Sequence, residues 1–522
     1  MHAADFSQPP VILNANPITL AEVERVVRLR APVALGDEAT RAIDASRDRL
    51  EQAMRAKTPI YGVNTGFGSL ARKRINDEKL AEVQRNLLRS HAAGAGVPLP
   101  AEQVRAMLLL LAGSLARGRS GVRRELVDAL VAILNAGVVP VVPTVGSVGA
   151  SGDLAPLAHA ALPLIGEGLA YYDNKTLDGA AALDRAGLTP ITLGAKEGLA
   201  LINGTHLMAG LGCLALLDAA RLLDAALVAC AMSIDACRAT HTFLDPRAHE
   251  ARNQPAQMAV AERLRALLEG SQVAPAHKDN DSRVQDPYSL RCAPQVLGAA
   301  LETLDNARRT IERELGAVTD NPLVVEPDGQ RDGFIVSAGN FHGMPLALAL
   351  DSVSVACMHI AGVAERRVFF LLGATDPENP VPAHLSPQPG LHSGLMITQY
   401  TAAACVNELA HLASPASVVN IPTCAGMEDY NSFGPLSART ALRSVELSRT
   451  VVAIEMLCAA QGIEFQRPLR SGEGVERAHA LVRERVAPLE ADRPPAPDIA
   501  ALEGLIAGGA LSPGNPRGSG RE

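Results

Sequence analysis

The chain has 522 residues, of which 48% are hydrophobic but only 3% aromatic, and its formal net charge is −8. The apolar mass is therefore Ala, Leu and Val, which favours closely packed helices over a β-sandwich. The acidic balance, without a dense basic block, argues against nucleic acid or an anionic membrane as a partner. Eight scattered cysteines without C-x-x-C spacing, and a first stretch unlike a signal peptide, indicate a reduced, cytoplasmic compartment.

The N-terminal part predicts mixed, short elements. Residues 16–58 alternate β-like and helical pieces, and one helix begins at Leu20 after a Thr19 cap. A glycine-rich loop, Ile60–Gly68, carries Tyr61. Phosphate binding is disfavoured because no Gly-Lys-Ser/Thr follows, so the simple interpretation of this loop is a surface connection.

Apolar residues at helical spacing predict the next three helices. They are Leu80, Val83, Leu87, Leu88 and Ala92; then Val104, Met107, Leu108 and Leu111; then Leu126, Leu130, Ile133 and Leu134. The first of these helices ends at Ser90-His91, where a histidine interacts favourably with the helix C-terminus.

The stretch Gly146–Asp153 combines three glycines with a serine and an aspartate. Its simple interpretation is a tight loop in which Asp153 caps the following helix. A second interpretation involves Ala150, Ser151 and Gly152. If the Gly152 nitrogen attacks the Ala150 carbonyl carbon, a five-membered ring closes, and loss of water from Ser151 leaves an exocyclic methylidene. Such a group would be an electrophile, which ordinary side chains do not supply.

The remainder of the chain is predicted to be mostly helical. Residues 171–192 resemble a β excursion with a turn at Asp173-Asn174, and Asn203 lies in a polar interruption between two apolar helices. The charged residues within the apolar run Leu207–Met232 argue against a membrane span. The longer helices are predicted at 207–238, 257–268, 292–318, 343–373, 395–413 and 435–461.

We therefore predict a mainly α fold, a long-helix bundle with a smaller mixed N-terminal region that carries the active-site loops. The expected domains are an N-terminal region over 1–200, a central long-helix bundle over 201–490, and a C-terminal segment over 491–522 whose Pro- and Gly-rich tail is disordered.

Other chemistries fit the sequence poorly. The order Gly149-Ala150-Ser151-Gly152 is neither a G-x-S-x-G nucleophile elbow nor part of a G-x-G-x-x-G dinucleotide fingerprint. No H-E-x-x-H or paired Cys/His spacing predicts a metal site. An inactive helical scaffold is the non-enzyme alternative, but it leaves the polar loops unexplained.

The run Gly-Ser-Val-Gly-Ala-Ser-Gly-Asp-Leu-Ala-Pro-Leu-Ala-His, residues 146–159, strongly resembles the signature of the aromatic amino acid ammonia-lyases and aminomutases. The resemblance extends through further motifs from about residue 16 to about residue 500. It implies a 4-methylidene-imidazol-5-one (MIO) group formed from Ala150-Ser151-Gly152, with no metal or diffusible cofactor. It also implies a homotetramer whose active sites draw residues from three subunits.

The resemblance assigns roles to individual side chains. Tyr61, on a lid loop, would be the general base, the carbon derived from Ser151 would capture the substrate amine, and Arg291 would bind the substrate carboxylate. The residues assigned to the catalytic centre are Tyr61, Ala150, Ser151, Gly152 and Tyr288, and those assigned to substrate binding are His91, Asn203, Gln285, Arg291, Phe341 and Glu428.

The substrate follows from the dipeptide Ser90-His91, which is similar to that of histidine lyases and predicts conversion of L-histidine to trans-urocanate. Met427, His206 and His384 depart from the histidine-lyase pattern. A modified histidine, handled as in ergothionase-like relatives that release trimethylamine from ergothioneine, is therefore an alternative. Phenylalanine or tyrosine comes third.

Overall fold

The structure is a computed structural model that describes residues 3–56, 59–66, 74–278, 283–327, 334–373 and 381–513. The helices are α1 (Leu20–Val27), α2 (Asp37–Arg55), α3 (Leu80–His91), α4 (Ala101–Ala116), α5 (Arg124–Ala136), α6 (Ala155–Ala161), α7 (Gly179–Arg185), α8 (Glu197–Ile202), α9 (His206–Ala236), α10 (Pro246–Arg252), α11 (Pro255–Leu267), α12 (Val273–His277), α13 (Tyr288–Arg291), α14 (Ala293–Glu314), α15 (Met344–Gly373), α16 (Met396–Leu412), α17 (Gly434–Glu464), α18 (Glu473–Arg483) and α19 (Ala496–Ala507).

The strands are short and form four small sheets. They are β1 (Val11–Leu13), β2 (Val33–Leu35), β3 (Ala95–Pro98), β4 (Val139–Pro140), β5 (Pro143–Val145), β6 (Leu169–Tyr172), β7 (Lys175–Asp178), β8 (Leu323–Val325) and β9 (Phe334–Val336). β1 and β2 pair in parallel, whereas β3 with β5, β4 with β6, β6 with β7, and β8 with β9 are antiparallel. The mainly α fold is therefore confirmed.

Local signals near the N-terminus are confirmed. The Thr19 hydroxyl accepts a hydrogen bond from Glu22 N at 3.2 Å, and the Glu22 carboxylate accepts one from Thr19 N at 2.8 Å. This reciprocal capping box satisfies two amides that the first helical turn leaves unpaired. Asp173 and Asn174 form the expected turn between β6 and β7. Beyond Asp178 the β-like expectation is wrong, because Gly179 begins α7 instead.

The predicted long helices are also observed, with ends displaced by a few residues. Most residues of α9 are buried, and Asp218, Arg221 and Asp224 are among its partly exposed residues. Of the helices within the described residues, α15 is long and apolar enough to cross a membrane, but 61% of its apolar window is buried inside the fold. A buried apolar helix of this kind is what a helical core requires.

The chain divides into two compact units, each built from three segments. Unit 1 comprises Met1–Leu214, Arg308–Asp351 and Pro415–Arg439, and unit 2 comprises Ala215–Ala307, Ser352–Ser414 and Thr440–Glu522. The contiguous domains expected at 1–200, 201–490 and 491–522 are a different description of the chain and remain a prediction.

The C-terminal segment is more ordered than its composition suggests. α19 covers Ala496–Ala507 and buries Ile499, Leu502, Leu505 and Ile506. The disorder expected for the final tail concerns residues 514–522, which lie outside the described part of the chain.

Candidate active site

The loop that contains Ser151 lies between β5 and α6, pressed against the turn that precedes α9. Asp153 N donates a hydrogen bond to Gly204 O at 2.8 Å. Gly152 has a φ of +76°, and a Cβ on it would lie 2.1 Å from Gly204 O. Only glycine combines that backbone conformation with so close an approach. The geometry thus requires glycine at position 152.

Asp153 does not cap the helix that follows it, so this expectation is wrong. Its Oδ2 accepts hydrogen bonds from Leu207 N at 2.7 Å and from Met208 N at 3.4 Å, which places the carboxylate at the N-terminus of α9. Helix N-termini attract acceptors and negative charge. Complete burial, with a smaller contribution from the nearby Glu314 carboxylate, nevertheless raises the pKa of Asp153 to about 7.

Glu428 meets Ser151 although the two residues are far apart in sequence. Ser151 Oγ donates to Glu428 Oε1 at 3.1 Å, and Thr423 Oγ1 donates to Glu428 Oε2 at 2.8 Å. Thr423 N also donates to Glu428 O at 2.9 Å, which closes the loop between them. Both carboxylate oxygens therefore have a hydroxyl partner, and the negative charge is held beside Ser151.

His91 is the last residue of α3, and its ring is oriented by its own helix. His91 Nδ1 lies 2.9 Å from Leu87 O. A carbonyl oxygen can only accept, so Nδ1 carries the proton and Nε2 of the neutral ring is an acceptor. Burial lowers the pKa of His91, while the Leu87 carbonyl and the charge of Glu428 raise it. The effect of burial is the largest, so the pKa is lowered overall, which favours the neutral ring.

Asn203 is held at the junction of α8 and α9 by the loop before β8. Asn203 Nδ2 donates to Asn321 O at 3.2 Å. In the same loop Asp320 accepts from Asn321 N at 2.6 Å and pairs with Lys196 Nζ at 2.6 Å, both side chains being 1% exposed. This buried ion pair positions the loop, and with it the partner of the Asn203 amide.

Tyr61 lies in a turn that its neighbours organise. The buried Asn64 side chain accepts a hydrogen bond from Ile60 N at 2.7 Å. The predicted loop Ile60–Gly68 continues into residues 67–73, which lie outside the described residues.

Six of the predicted site residues line one cavity of about 770 Å³ in unit 1. They are Tyr61, His91, Ser151, Asn203, Phe341 and Glu428. A cavity of this size suits a small molecule. Ala150 and Gly152 flank Ser151 in the buried loop.

Sequence reasoning missed other residues of the lining. Asn86, Asn321, Ser337 and Cys424 are among them, and Met427 lies beside Glu428. Asn321 belongs to a polar loop, Thr319–Pro322, whose composition could have indicated it. Asn86 and Cys424 carried no comparable signal.

Gln285, Tyr288 and Arg291 are not among the residues that line this cavity and belong to unit 2, where they form a cluster of their own. Arg291 Nη2 donates to Gln285 Oε1 at 2.7 Å, and Arg291 Nε donates to Asp286 O at 2.9 Å. The guanidinium carbon lies 4.5 Å from the centre of the Tyr288 ring. Tyr288 is 70% exposed. The cluster presents a cation and a phenol toward the surface of its unit.

The tripeptide Ala150-Ser151-Gly152 fits the ring closure considered above. Gly152 has no Cβ to obstruct its own nitrogen, and the contact with Gly204 leaves room for none. Ser151 Oγ donates a hydrogen bond to the Glu428 carboxylate, which can accept a proton. These residues therefore suit an internal electrophile placed at the cavity wall.

Comparisons with known proteins agree with this geometry. Residues 18–484 match the sequence profile of the family described as aromatic amino acid lyase. The chain is 48% identical over 495 residues to a histidine ammonia-lyase of Symbiobacterium thermophilum, covering 95% of this chain and 96% of that protein. The crystal structure of a histidine ammonia-lyase from Trypanosoma cruzi is similar with a TM-score of 0.88 and 41% identity, covering 96% of this chain and 94% of that one.

A third neighbour bears on the substrate alternatives. The structure of an ergothioneine-degrading ergothionase from Treponema denticola has a TM-score of 0.87 but only 27% identity, covering 97% of this chain and 100% of that one. The backbone is thus shared across these proteins, whereas the sequence is much closer to the histidine ammonia-lyases.

Proposed function

The chain belongs to the aromatic amino acid lyase family and is a carbon–nitrogen ammonia-lyase, and from this premise we propose that it converts L-histidine to trans-urocanate and ammonia. The observation that carries the proposal is the proximity of the Glu428 carboxylate to Ser151, the precursor of the electrophile, in a cavity that His91 also lines. The neutral His91 ring offers Nε2 as an acceptor, and Glu428 offers a carboxylate. An imidazole carries an N–H donor that either group can accept.

We further propose that Ala150, Ser151 and Gly152 form a 4-methylidene-imidazol-5-one group. When formed, this group supplies a carbon electrophile for the substrate amine, which no ordinary side chain provides. The glycine at position 152 and the carboxylate of Glu428 beside Ser151 support the assignment. No diffusible cofactor and no metal are part of the proposal.

The chain's own side chains then handle the proton and the charges. Tyr61, in its ionised phenolate form, takes the β-proton, the bond between the α-carbon and the nitrogen breaks, and the amino group leaves as ammonia. A double bond remains between the α- and β-carbons, conjugated with the imidazole ring. Asn203 and Phe341, which line the cavity, orient the substrate. Arg291, with Tyr288 and Gln285 beside it, binds the substrate carboxylate.

We propose that the enzyme is a cytoplasmic homotetramer in which the Gln285, Tyr288 and Arg291 cluster completes the cavity of another subunit. Two observations support this arrangement: the cluster belongs to unit 2 whereas the residues that line the cavity belong to unit 1, and the related lyases are homotetramers with shared sites, as the family resemblance implies. Mixing and reassembling two inactive variants, Ser151→Ala and Arg291→Ala, should restore partial activity. Some sites in the mixed tetramers would combine an intact Ser151 from one subunit with an intact Arg291 from another. Failure to regain any activity in reassembled mixed tetramers would contradict the shared site.

A substrate panel tests the function. Dialysed enzyme is incubated separately with L-histidine, ergothioneine, phenylalanine and tyrosine, and the unsaturated acid expected from each, urocanate in the case of histidine, is followed by its ultraviolet absorbance. We expect turnover of histidine, none by Ser151→Ala, and a wild-type chain whose intact mass is lower than that of the unmodified sequence by two water molecules, one lost on ring closure and one from the Ser151 hydroxyl. Turnover of ergothioneine but not of histidine would overturn the substrate assignment.

A further inference from the structure

Arg367 and Glu455 form an ion pair in unit 2 whose two side chains are completely buried. Arg367 Nε donates to Glu455 Oε1 at 2.5 Å, and Nη2 donates to Glu455 Oε2 at 2.8 Å, so the pair is bidentate. Ser233 Oγ adds a hydrogen bond to Glu455 Oε1 at 2.7 Å. None of these three residues lines the described cavity.

The remaining arm of the guanidinium reaches the segment that carries Arg291. Arg367 Nη1 donates to Ser289 O at 3.1 Å. Ser289 lies inside α13, a helix of only four residues. So short a helix has little stability of its own, because few hydrogen bonds repay the cost of nucleation. Its position therefore depends on contacts such as this one.

α13 is anchored on one side and exposed on the other. Leu290 is fully buried, and just before the helix Asp286 Oδ2 accepts hydrogen bonds from Thr240 N and Thr240 Oγ1, both at 2.9 Å. Tyr288, in contrast, is 70% exposed. The contact of Arg367 with Ser289 thus holds the inner face of the helix whose outer residues form the Gln285, Tyr288 and Arg291 cluster.

Stability alone does not explain a buried ion pair, because well-packed apolar residues often stabilise a core as well as the pair does. An apolar pair could not donate to the Ser289 carbonyl. We propose that Arg367, oriented by Glu455, is a positioning residue that sets the place of Arg291 for the substrate carboxylate. The inference rests on the proposed function, in which Arg291 binds that carboxylate.

The test replaces the pair without leaving a lone buried charge. In the double variant Arg367→Met/Glu455→Met we expect KM for histidine to rise roughly tenfold while kcat changes less, since one hydrogen bond from a charged group is lost. Inhibition by histamine, which has no carboxylate, should stay within about twofold of wild type. The matched control is Arg443→Met/Glu408→Met, the same changes at an ion pair whose two side chains are each 48% exposed. It should leave the KM for histidine and the inhibition by histamine unchanged.

A second readout does not depend on turnover. Hydrogen exchange at the Leu290 and Arg291 amides, which donate to Pro287 O, and at the Cys292 amide, which donates to Tyr288 O, should be faster in the Arg367→Met/Glu455→Met enzyme than in the control. If that enzyme does not fold, Arg367→Lys is the second variant. It keeps a cation beside Glu455 but loses the hydrogen bond to Ser289 O, and it should show the same faster exchange and the same rise in KM for histidine. Unchanged exchange together with an equal loss of histidine and histamine binding would overturn the inference. A wild-type enzyme inactive on histidine would instead overturn the proposed function.

Discussion

Ser151 Oγ lies 3.1 Å from Glu428 Oε1, although 277 positions separate the two residues in the chain. The same carboxylate accepts from Thr423 through its other oxygen, so its orientation is restricted at both ends. The contact joins the loop that would form the electrophile to a charge suited to an imidazole. Four predictions follow from this cavity and from the loop behind it.

Glu428→Gln should lower kcat/KM for histidine by roughly 10- to 100-fold, because a hydrogen bond to a charged group is worth about 1.5–3 kcal/mol. Thr423→Val keeps the carboxylate and removes one of its partners, so its loss should be smaller. Steady-state kinetics with histidine measure both. An equal loss in the two variants would show that orientation, and not charge, accounts for the role of Glu428.

His91→Leu should reduce kcat/KM for histidine by roughly tenfold or more, because the substrate imidazole loses an acceptor. Turnover of phenylalanine relative to histidine should rise, since the cavity wall becomes apolar. The same substitution at the exposed His411 of α16 is the control. A His91→Leu enzyme with unaltered preference for histidine over phenylalanine would contradict this assignment.

Gly152→Ala should abolish activity and lower the melting temperature, because its Cβ would lie 2.1 Å from Gly204 O. Gly187→Ala is the matched control, since Gly187 has a similar φ of +70° but no atom within 4 Å of an added Cβ. Both variants incur about 1–2 kcal/mol of backbone strain, and only Gly152→Ala incurs the collision. Thermal unfolding and urocanate formation measure the two effects, and equal behaviour of the variants would refute the requirement for glycine at 152.

The burial of Asp153 predicts a pH-dependent stability. Its pKa is about 7 in the folded chain and about 3.9 when unfolded. Between these values only the folded state holds the proton, so the free energy of unfolding falls as the pH rises, by at most about 1.4 kcal/mol per pH unit. The contribution is fully present below the unfolded pKa and is lost as the pH rises to about 7.

Asp153→Asn removes that titration and should flatten the decline of the melting temperature between about pH 4 and pH 7. Asp173→Asn, at the exposed turn between β6 and β7, is the control. Melting curves of the three proteins across this range provide the measurement. Parallel pH profiles for wild type and Asp153→Asn would contradict the raised pKa.

The sequence by itself determined the features that depend on neighbouring residues. The Thr19 cap, the turn at Asp173 and Asn174, and the long apolar helices are visible locally because caps, turns and helical periodicity join residues only a few positions apart. The motif around Ser151 belongs to the same class, since its three reacting residues are adjacent.

Only the tertiary structure decided the rest. Asp153 was expected to cap the next helix, yet it caps α9. No local sequence pattern distinguishes these two capping roles, because the role of Asp153 depends on which helix packs against its loop. The meeting of Ser151 with Glu428, and of Arg367 with Ser289, likewise joins distant segments. Their side chains come together only when burial of the apolar helix faces brings those segments into contact, and that packing is a property of the whole chain.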